Sequence, residues 1–164
     1  MPISSLEIVA TVDERYACCT FRGSLVALDV ERGQIVWRHY TVEESPAERV
    51  DPRTGFRRYG PSGAPVWTSP TLDLERGLIY HGSGQNYSTP ADGNSDSIFA
   101  VNLADGRRVW SRQLRSGDAW NSSCRRGSDA NCPRPTGPDF DIGASLLLLE
   151  VAPGKQLLIA GPKS

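Results

Sequence analysis

Apolar residues along this chain fall in short runs closed off by turn formers. Ser24 to Leu28, Gln34 to Trp37, Leu78 to His81, Ser97 to Val101, Arg107 to Trp110, Ser145 to Val151 and Gln156 to Ala160 are such runs, set off by residues such as Gly, Asp and Pro. Their length and bounding residues predict strands. None keeps helical spacing for three turns, so the chain reads as all-β. Between the runs lie two polar stretches, about 42–65 and 112–138, rich in Gly, Pro, Ser, Arg and Asp. Both are predicted as long inserted loops, which in a compact domain are mostly functional or disordered.

An internal repeat sharpens this pattern. Ala27 to Trp37 (ALDVERGQIVW) returns as Ala100 to Trp110 (AVNLADGRRVW), both of the form A-x-D/N-x-x-x-G-x-x-x-W. Each copy predicts a hairpin: a strand ending at Asp or Asn, a tight turn that Gly permits at positive φ, and a return strand closing on Trp. The small Ala is expected to leave room for a neighbour's ring. Units of this kind bury their faces only against one another, so two copies predict β-propeller blades or a related array. The interval from Trp37 to Trp110 exceeds the ~40–50 residues of a lean blade, and the inserted loops account for the excess.

Composition adds exclusions more than identities. Apolar residues make up 38% and charged residues 23%, ordinary values for a globular chain. The net charge of −1 gives no general drive toward nucleic acid, and no apolar run reaches the ~20 residues of a membrane span. The first residues lack the basic and apolar regions of a secretory signal.

Several ordered motifs carry a family resemblance. The two repeats resemble the tryptophan-docking motifs of the quinoprotein alcohol dehydrogenases, eight-bladed propellers that hold pyrroloquinoline quinone (PQQ) and usually calcium. SSLE, CCTFRGSLVALD, GPSGAPVWTSPTLD, GSGQNYS, GDAWN, PDFDIGAS and GPKS, in that order, resemble the polyvinyl-alcohol dehydrogenase branch. The resemblance covers nearly the whole chain. It implies one partial propeller domain over residues 1–164, about two complete blades with parts of neighbours, whose activity in isolation is doubtful.

The resemblance also implies roles for single residues. Glu7 matches the glutamate that binds calcium, a hard cation that prefers carboxylate oxygen. Trp67 matches the indole that lies flat under the quinone, where a ring supplies buried area and stacking. The turn holding Gln85 and Asn86 matches the place where an amide oxygen meets calcium, and either residue can take that role. The family's chemistry needs a carboxylate to take the alcohol's hydroxyl proton while hydride passes to the quinone and calcium polarises it. Spacing from Trp110 puts that base on Asn121, an amide unfit for the task. If residues 122 to 138 are an insertion, Asp141 is the base and a calcium ligand, with Asp139 and Asp118 as fallbacks. Lys163 matches the cation that bonds the quinone oxygens, and Arg22 a guanidinium suited to a cofactor carboxylate.

The cysteines bear on compartment. Cys124 and Cys132 sit in a loop with little apolar content, where a disulfide contributes about 2–3 kcal/mol in the chain-entropy picture. Zinc is the rival, but no His lies nearby in sequence. A disulfide there requires an oxidising compartment, which agrees with the periplasmic setting the resemblance implies for the full-length parent. Adjacent Cys18 and Cys19 follow Glu7, so by motif order they are not equivalent to the adjacent-cysteine disulfide of methanol dehydrogenases. A ring disulfide near the pocket, a structural role and free thiols all remain readings of that pair.

Two functional classes follow. In the first, the chain is part of a PQQ- and calcium-dependent dehydrogenase that oxidises secondary hydroxyls of polymeric or small alcohols. Its electrons pass to a cytochrome c or other acceptor, and no C-x-x-C-H haem motif occurs in this sequence. In the second, the propeller is a cofactor-free scaffold or sensor, since fold alone does not fix function. The ordered set Glu7, Trp67, Asp141 and Lys163 favours the first.

Overall fold

A computed structural model describes residues 19–52, 55–126 and 131–163; Glu7 and Cys18 lie outside the described residues. The strands, in chain order, are β1 Ser24–Leu28, β2 Ile35–Tyr40, β3 Ala47–Val50, β4 Arg57–Gly60, β5 Ser62–Gly63, β6 Thr71–Asp73, β7 Leu78–Gly82, β8 Asn86–Ser88, β9 Ser97–Asn102, β10 Arg108–Gln113, β11 Leu147–Ala152 and β12 Lys155–Ile159. A 3-10 turn at Ser122–Arg126 is the only helical element among the described residues. Strands β6, β7, β9 and β10 form one antiparallel four-stranded sheet. Two-stranded pieces surround it: β1–β2, β3–β4, β5–β8 and β11–β12. Only the second docking motif therefore closes a four-stranded blade within the described residues, where the resemblance implied about two.

One turn recurs through this architecture. Asp29 and Gly33, Asp51 and Gly55, Asp73 and Gly77, Asn102 and Gly106, and Glu150 and Gly154 stand four residues apart, and each glycine has φ between 63° and 73°. In the two repeats the bonds match. Gly33 N–H donates to Asp29 O (2.8 Å) and Gly106 N–H to Asn102 O (2.9 Å), while the Asp29 and Asn102 side chains accept amides two and three residues on. Such side chains mimic a backbone turn, and the left-handed residue that closes it is cheapest as glycine. Sequence reading found two of the five, because only those two also carry the closing Trp.

The tryptophans show why the units stack. Trp37 Nε1 donates to Leu103 O of the next unit (3.1 Å). Its ring lies so close to Gly106 that an added Cβ would stand 2.5 Å from Trp37 Cε3. Gly106 is thus needed both for its backbone angle and for the ring that docks on it. Ala27 and Ala100 lie directly across from Trp37 and Trp110, so each small residue faces the ring of its own hairpin.

Strand β9 is apolar without alternation because both its faces are covered. Phe99 and Val101 join Leu25 and Ile79 in a core against β1–β2; Ile98 and Ala100 join Tyr80, Ile142 and Leu146 in a second core on the other side. Strands β3 and β4 lie inside the stretch predicted as a loop. Their residues are largely exposed and polar, so they carry no apolar signal. Tyr59 Oη donates to Glu48 Oε2 (3.1 Å), and Arg57 pairs with the same carboxylate (3.4 Å), which holds the hairpin by cross-strand contacts. In the second polar stretch, Cys124 and Cys132 form a disulfide with Cα atoms 4.8 Å apart. Cys19 is buried and also disulfide-bonded.

Candidate functional site

Four loop segments meet beside the four-stranded sheet. Ala64–Trp67 follows β5, Gly84–Gln85 joins β7 to β8, Asp139–Asp141 precedes the buried Ile142, and Lys163 follows β12. Backbone hydrogen bonds knit them. Ala64 N–H donates to Gln85 O (2.8 Å), Gly84 N–H to Pro65 O (2.9 Å), Ile142 N–H to Ser83 O (3.1 Å) and Lys163 N–H to Asp141 O (2.9 Å). Residues far apart in sequence are thereby fixed within one cluster.

The side chains converge in the same place. A cavity of about 430 Å³ is walled by Trp67, Asp141 and Lys163, with Gly143, Ala144 and Gly161. Asp141 is buried; its Oδ1 accepts the Gln85 N–H (3.1 Å) and its Oδ2 the Lys163 Nζ (2.7 Å). Lys163 also reaches Asp139 Oδ2 (2.9 Å). Gly84 sits between indole and carboxylate: a Cβ there would stand 2.7 Å from Trp67 Nε1 and would strike Asp141 Oδ1. Trp67 is 40% exposed, a large ring left half open at the cavity.

Electrostatics follow from this geometry. Burial pushes the Asp141 carboxyl above its ordinary value, against the opposing pull of Lys163. Burial works to lower the Lys163 ammonium, but its bonds to Asp141 and Asp139 prevail and raise it. Behind Asp141, Asp96 is fully buried and pushed up to about 8, first by burial and then by the Asp118 carboxylate beside it. Ala64, Asp96, Asp139 and Asp141 all have φ between 48° and 63° without being glycine. Left-handed residues of this kind each cost about 1–3 kcal/mol and persist where surrounding bonds over-determine them.

The two candidate amides differ sharply. Asn86 is spent on structure: its Nδ2 donates to Ser62 O (3.0 Å) and its Oδ1 accepts the Asp92 N–H (2.8 Å). Gln85 is 2% exposed, and its Oε1 has no hydrogen-bond partner. Such a buried acceptor costs about 1–3 kcal/mol unless something satisfies it. Asn121 is likewise structural: its Nδ2 donates to Tyr87 O and Asn131 O (both 2.9 Å), and its Oδ1 accepts Ser123 Oγ (2.5 Å). Asp118 accepts the Asp139 and Phe140 amides and does not line the cavity. Arg22 also lies outside its walls; the guanidinium donates to Val42 O and Glu43 O and rests 3.7 Å from the centre of the Tyr40 ring.

Thus the structure brings Trp67, Asp141 and Lys163 together on the cavity, ties Gln85 to Asp141 through its backbone N–H without placing it in the walls, and engages Asn86, Asn121 and Arg22 elsewhere. Glu7 lies outside the described residues. Among the described residues no three His, Cys, Asp or Glu side chains gather as a metal cluster. Sequence reading did not find Gly84 or Asp96. Gly84 looked like an ordinary turn glycine, and nothing in Ser95-Asp96-Ser97 announces a buried carboxylate.

Comparison with known proteins identifies the family. The family model described as PQQ, the glucose/ethanol/alcohol dehydrogenase β-propeller domain, matches residues 6–125. The polyvinylalcohol dehydrogenase of Sphingopyxis sp. (strain 113P3) is 40% identical over 166 residues, covering 100% of this chain and 25% of that protein. The polyvinylalcohol dehydrogenase of Pseudomonas sp. is 35% identical over 164 residues, with the same coverage. The chain therefore spans about a quarter of the length of these relatives. The quinohemoprotein alcohol dehydrogenase of Comamonas testosteroni shares the fold, with a TM-score of 0.58 at 22% identity over 88% of this chain and 22% of that one. On the family model, the two full-chain relatives and the docked tryptophan repeats, this chain belongs to the PQQ-dependent alcohol dehydrogenase β-propeller family.

Proposed function

We propose that this chain supplies part of the cofactor and base site of an alcohol dehydrogenase that oxidises secondary hydroxyls of polymeric or small alcohols. The observation that carries this reading is the convergence of Trp67, Asp141 and Lys163 on one cavity, with Gln85, whose Oε1 is unpartnered, bonded to Asp141 through its backbone N–H. The residues fit both implied groups. The half-open Trp67 ring and the bare walls at Gly143 and Gly161 suit a flat polycyclic quinone. Gln85 Oε1 and the Asp141 carboxylate are oxygen donors of the kind a calcium ion takes, and Glu7 is the third ligand we assign. When bound, PQQ supplies the hydride acceptor and calcium a Lewis acid.

The chain's own residues then divide the work. Asp141 takes the hydroxyl proton on a carboxylate oxygen; a raised pKa makes it a better base, provided it is ionised at the working pH. Lys163 favours the ionised form of that carboxylate against burial and presents a donor to anionic oxygens in the cavity. Trp67 fixes the plane of the ring laid against it. The acceptor we assign is a cytochrome-type partner outside this chain, in line with the relatives that are quinohemoproteins. The disulfide supports a periplasmic location for the full-length protein.

The test is reconstitution of the full-length protein that contains this chain with PQQ and calcium, followed by dye reduction with polyvinyl alcohol, a small secondary alcohol and a primary alcohol. Turnover that needs both PQQ and calcium and favours the secondary hydroxyls bears out the reading. A well-folded protein that neither binds PQQ nor reduces the dye would overturn it.

A further inference from the structure

We propose that Asp96 and Asp118 form a two-carboxylate brace that fixes the backbone of Asp139–Asp141 and so aims the Asp141 side chain, making Asp96 a positioning residue. The aim matters for function only if Asp141 is the base, as proposed above; the brace itself stands on geometry.

Three consecutive amides carry the argument. Asp139 N–H donates to Asp118 Oδ1 (3.2 Å), Phe140 N–H to Asp118 Oδ2 (2.7 Å) and Asp141 N–H to Asp96 Oδ1 (3.1 Å). None of the three is given to a strand. Successive N–H groups pointing one way make a concavity that suits acceptor oxygens, and here the oxygens belong to carboxyl side chains of the same chain. Both Asp96 and Asp118 are fully buried, so water does not compete for these bonds.

The brace is anchored on the far side to the turn that presents Gln85. Asp96 N–H donates to Gly84 O (3.1 Å), and its carbonyl accepts the Leu114 N–H (2.9 Å). Asp118 O accepts the Asn86 N–H (3.0 Å). Gln85 N–H then closes the circuit on Asp141 Oδ1 (3.1 Å). Asp139 and Asp141 are both left-handed, with φ of 63° and 51°. A chain passing through two such residues turns away from ordinary backbone, and the carboxylate bonds hold it there. The consequence is that Asp141 faces Lys163 and Trp67 in the cavity instead of solvent.

The brace is tested first by amide hydrogen exchange on this chain, comparing Asp96→Ala with Asp96→Asn. Asn keeps an oxygen where Asp141 N–H needs one; Ala does not. Protection of the Asp141 amide is expected to fall about tenfold or more in D96A and to return in D96N, with β7 and β9 amides unchanged. If D96A does not fold, Asp118→Asn serves, because its amide nitrogen cannot accept. Protection at Asp139 or Phe140 should then drop while Asp141 keeps its own. An Asp141 amide that stays protected in D96A, or a loss spread evenly over β7 and β9, overturns the brace; in D118N the same holds for unchanged Asp139 and Phe140 amides. In the full-length protein with PQQ and calcium, D96A should lower kcat about tenfold at nearly constant KM and D96N should restore it. An unchanged kcat beside the expected exchange result overturns the aiming role. Absence of PQQ-dependent turnover in the unmutated protein would instead count against the proposed function, leaving the exchange result to decide the brace.

Discussion

The four-stranded sheet and the loop cluster beside it are built on opposite terms. In the sheet, strand β9 is apolar on both faces, Phe99, Ala100 and Val101 are fully buried, and the turn at its end closes with matched bonds. In the cluster, a few residues away, buried groups are mostly polar. Four non-glycine residues are left-handed, Asp96 is pushed up to about 8, and Gln85 Oε1 has no partner. The sheet departs from local preference mainly at the buried His81, whose Nε2 has no partner, whereas the cluster violates several preferences in one place. Concentrated strain and unsatisfied polarity on a rigid support accord with the site proposed above, where stability is given up for chemistry.

That contrast predicts that substitutions in the two regions fail differently. The largest effect is expected from Phe99→Ala, which removes a fully buried ring shared by β1–β2 and the main sheet. It should lower stability by about 3–5 kcal/mol in urea unfolding, and an effect below about 1 kcal/mol would mean that the blade core is not where the structure puts it. Asp141→Asn should instead lower kcat of the reconstituted full-length protein about 10²–10⁴-fold, with only a small shift in the unfolding midpoint. Equal losses of stability in both variants would erase the distinction.

A third test uses pH. Burial lowers His39 to about 4, with the Arg108 charge adding to it, and burial followed by the His39 charge lowers His81 to about 3. The two rings pack edge-on to each other, and His81 stacks on Phe99. A histidine lowered in the folded state leaves the unfolded chain binding more protons between the folded value and 6.5. Its stabilising contribution is therefore whole above pH 6.5 and declines as pH falls toward the folded value. Replacing His81 by Phe removes that proton. Relative to the parent, the variant should gain about 1.4 kcal/mol per pH unit below 6.5. A difference that stays flat with pH would contradict the burial of His81.

Smaller effects probe the docking turns. Gly106→Ala meets both the Trp37 ring and a φ of 73°, and should cost about 1–3 kcal/mol. Gly33 has a similar φ but nothing within 4 Å of an added Cβ, so Gly33→Ala should cost less, about 1 kcal/mol. Equal costs would show that Trp37 docking adds nothing.

Legibility in the sequence followed the same division. The strands β1, β2, β7, β9, β10, β11 and β12 were readable because an apolar run between turn residues is a local signal. The hairpin β3–β4 was not, since a solvated strand pair needs no apolar residues. At the site, motif order placed Trp67, Asp141 and Lys163, but it left Gln85 and Asn86 equivalent. Their difference lies in who accepts from whom: Asn86 meets Ser62 and Asp92 across the fold, and Gln85 meets neither. The roles of Asp96 and Gly84 rest largely on contacts with Asp141, 45 and 57 positions further on, which no local pattern encodes. Asn121 shows the converse: correct spacing from Trp110 brought it to a place where it holds the disulfide loop instead.

The most direct measurement is a crystal structure of the full-length protein with PQQ and calcium bound. The account predicts the quinone ring flat on Trp67, and calcium ligated by Gln85 Oε1 and the Asp141 carboxylate, with Asn86 still bonded to Ser62 and Asp92. A cation held by Asn86, or a quinone seated away from Trp67, would contradict it.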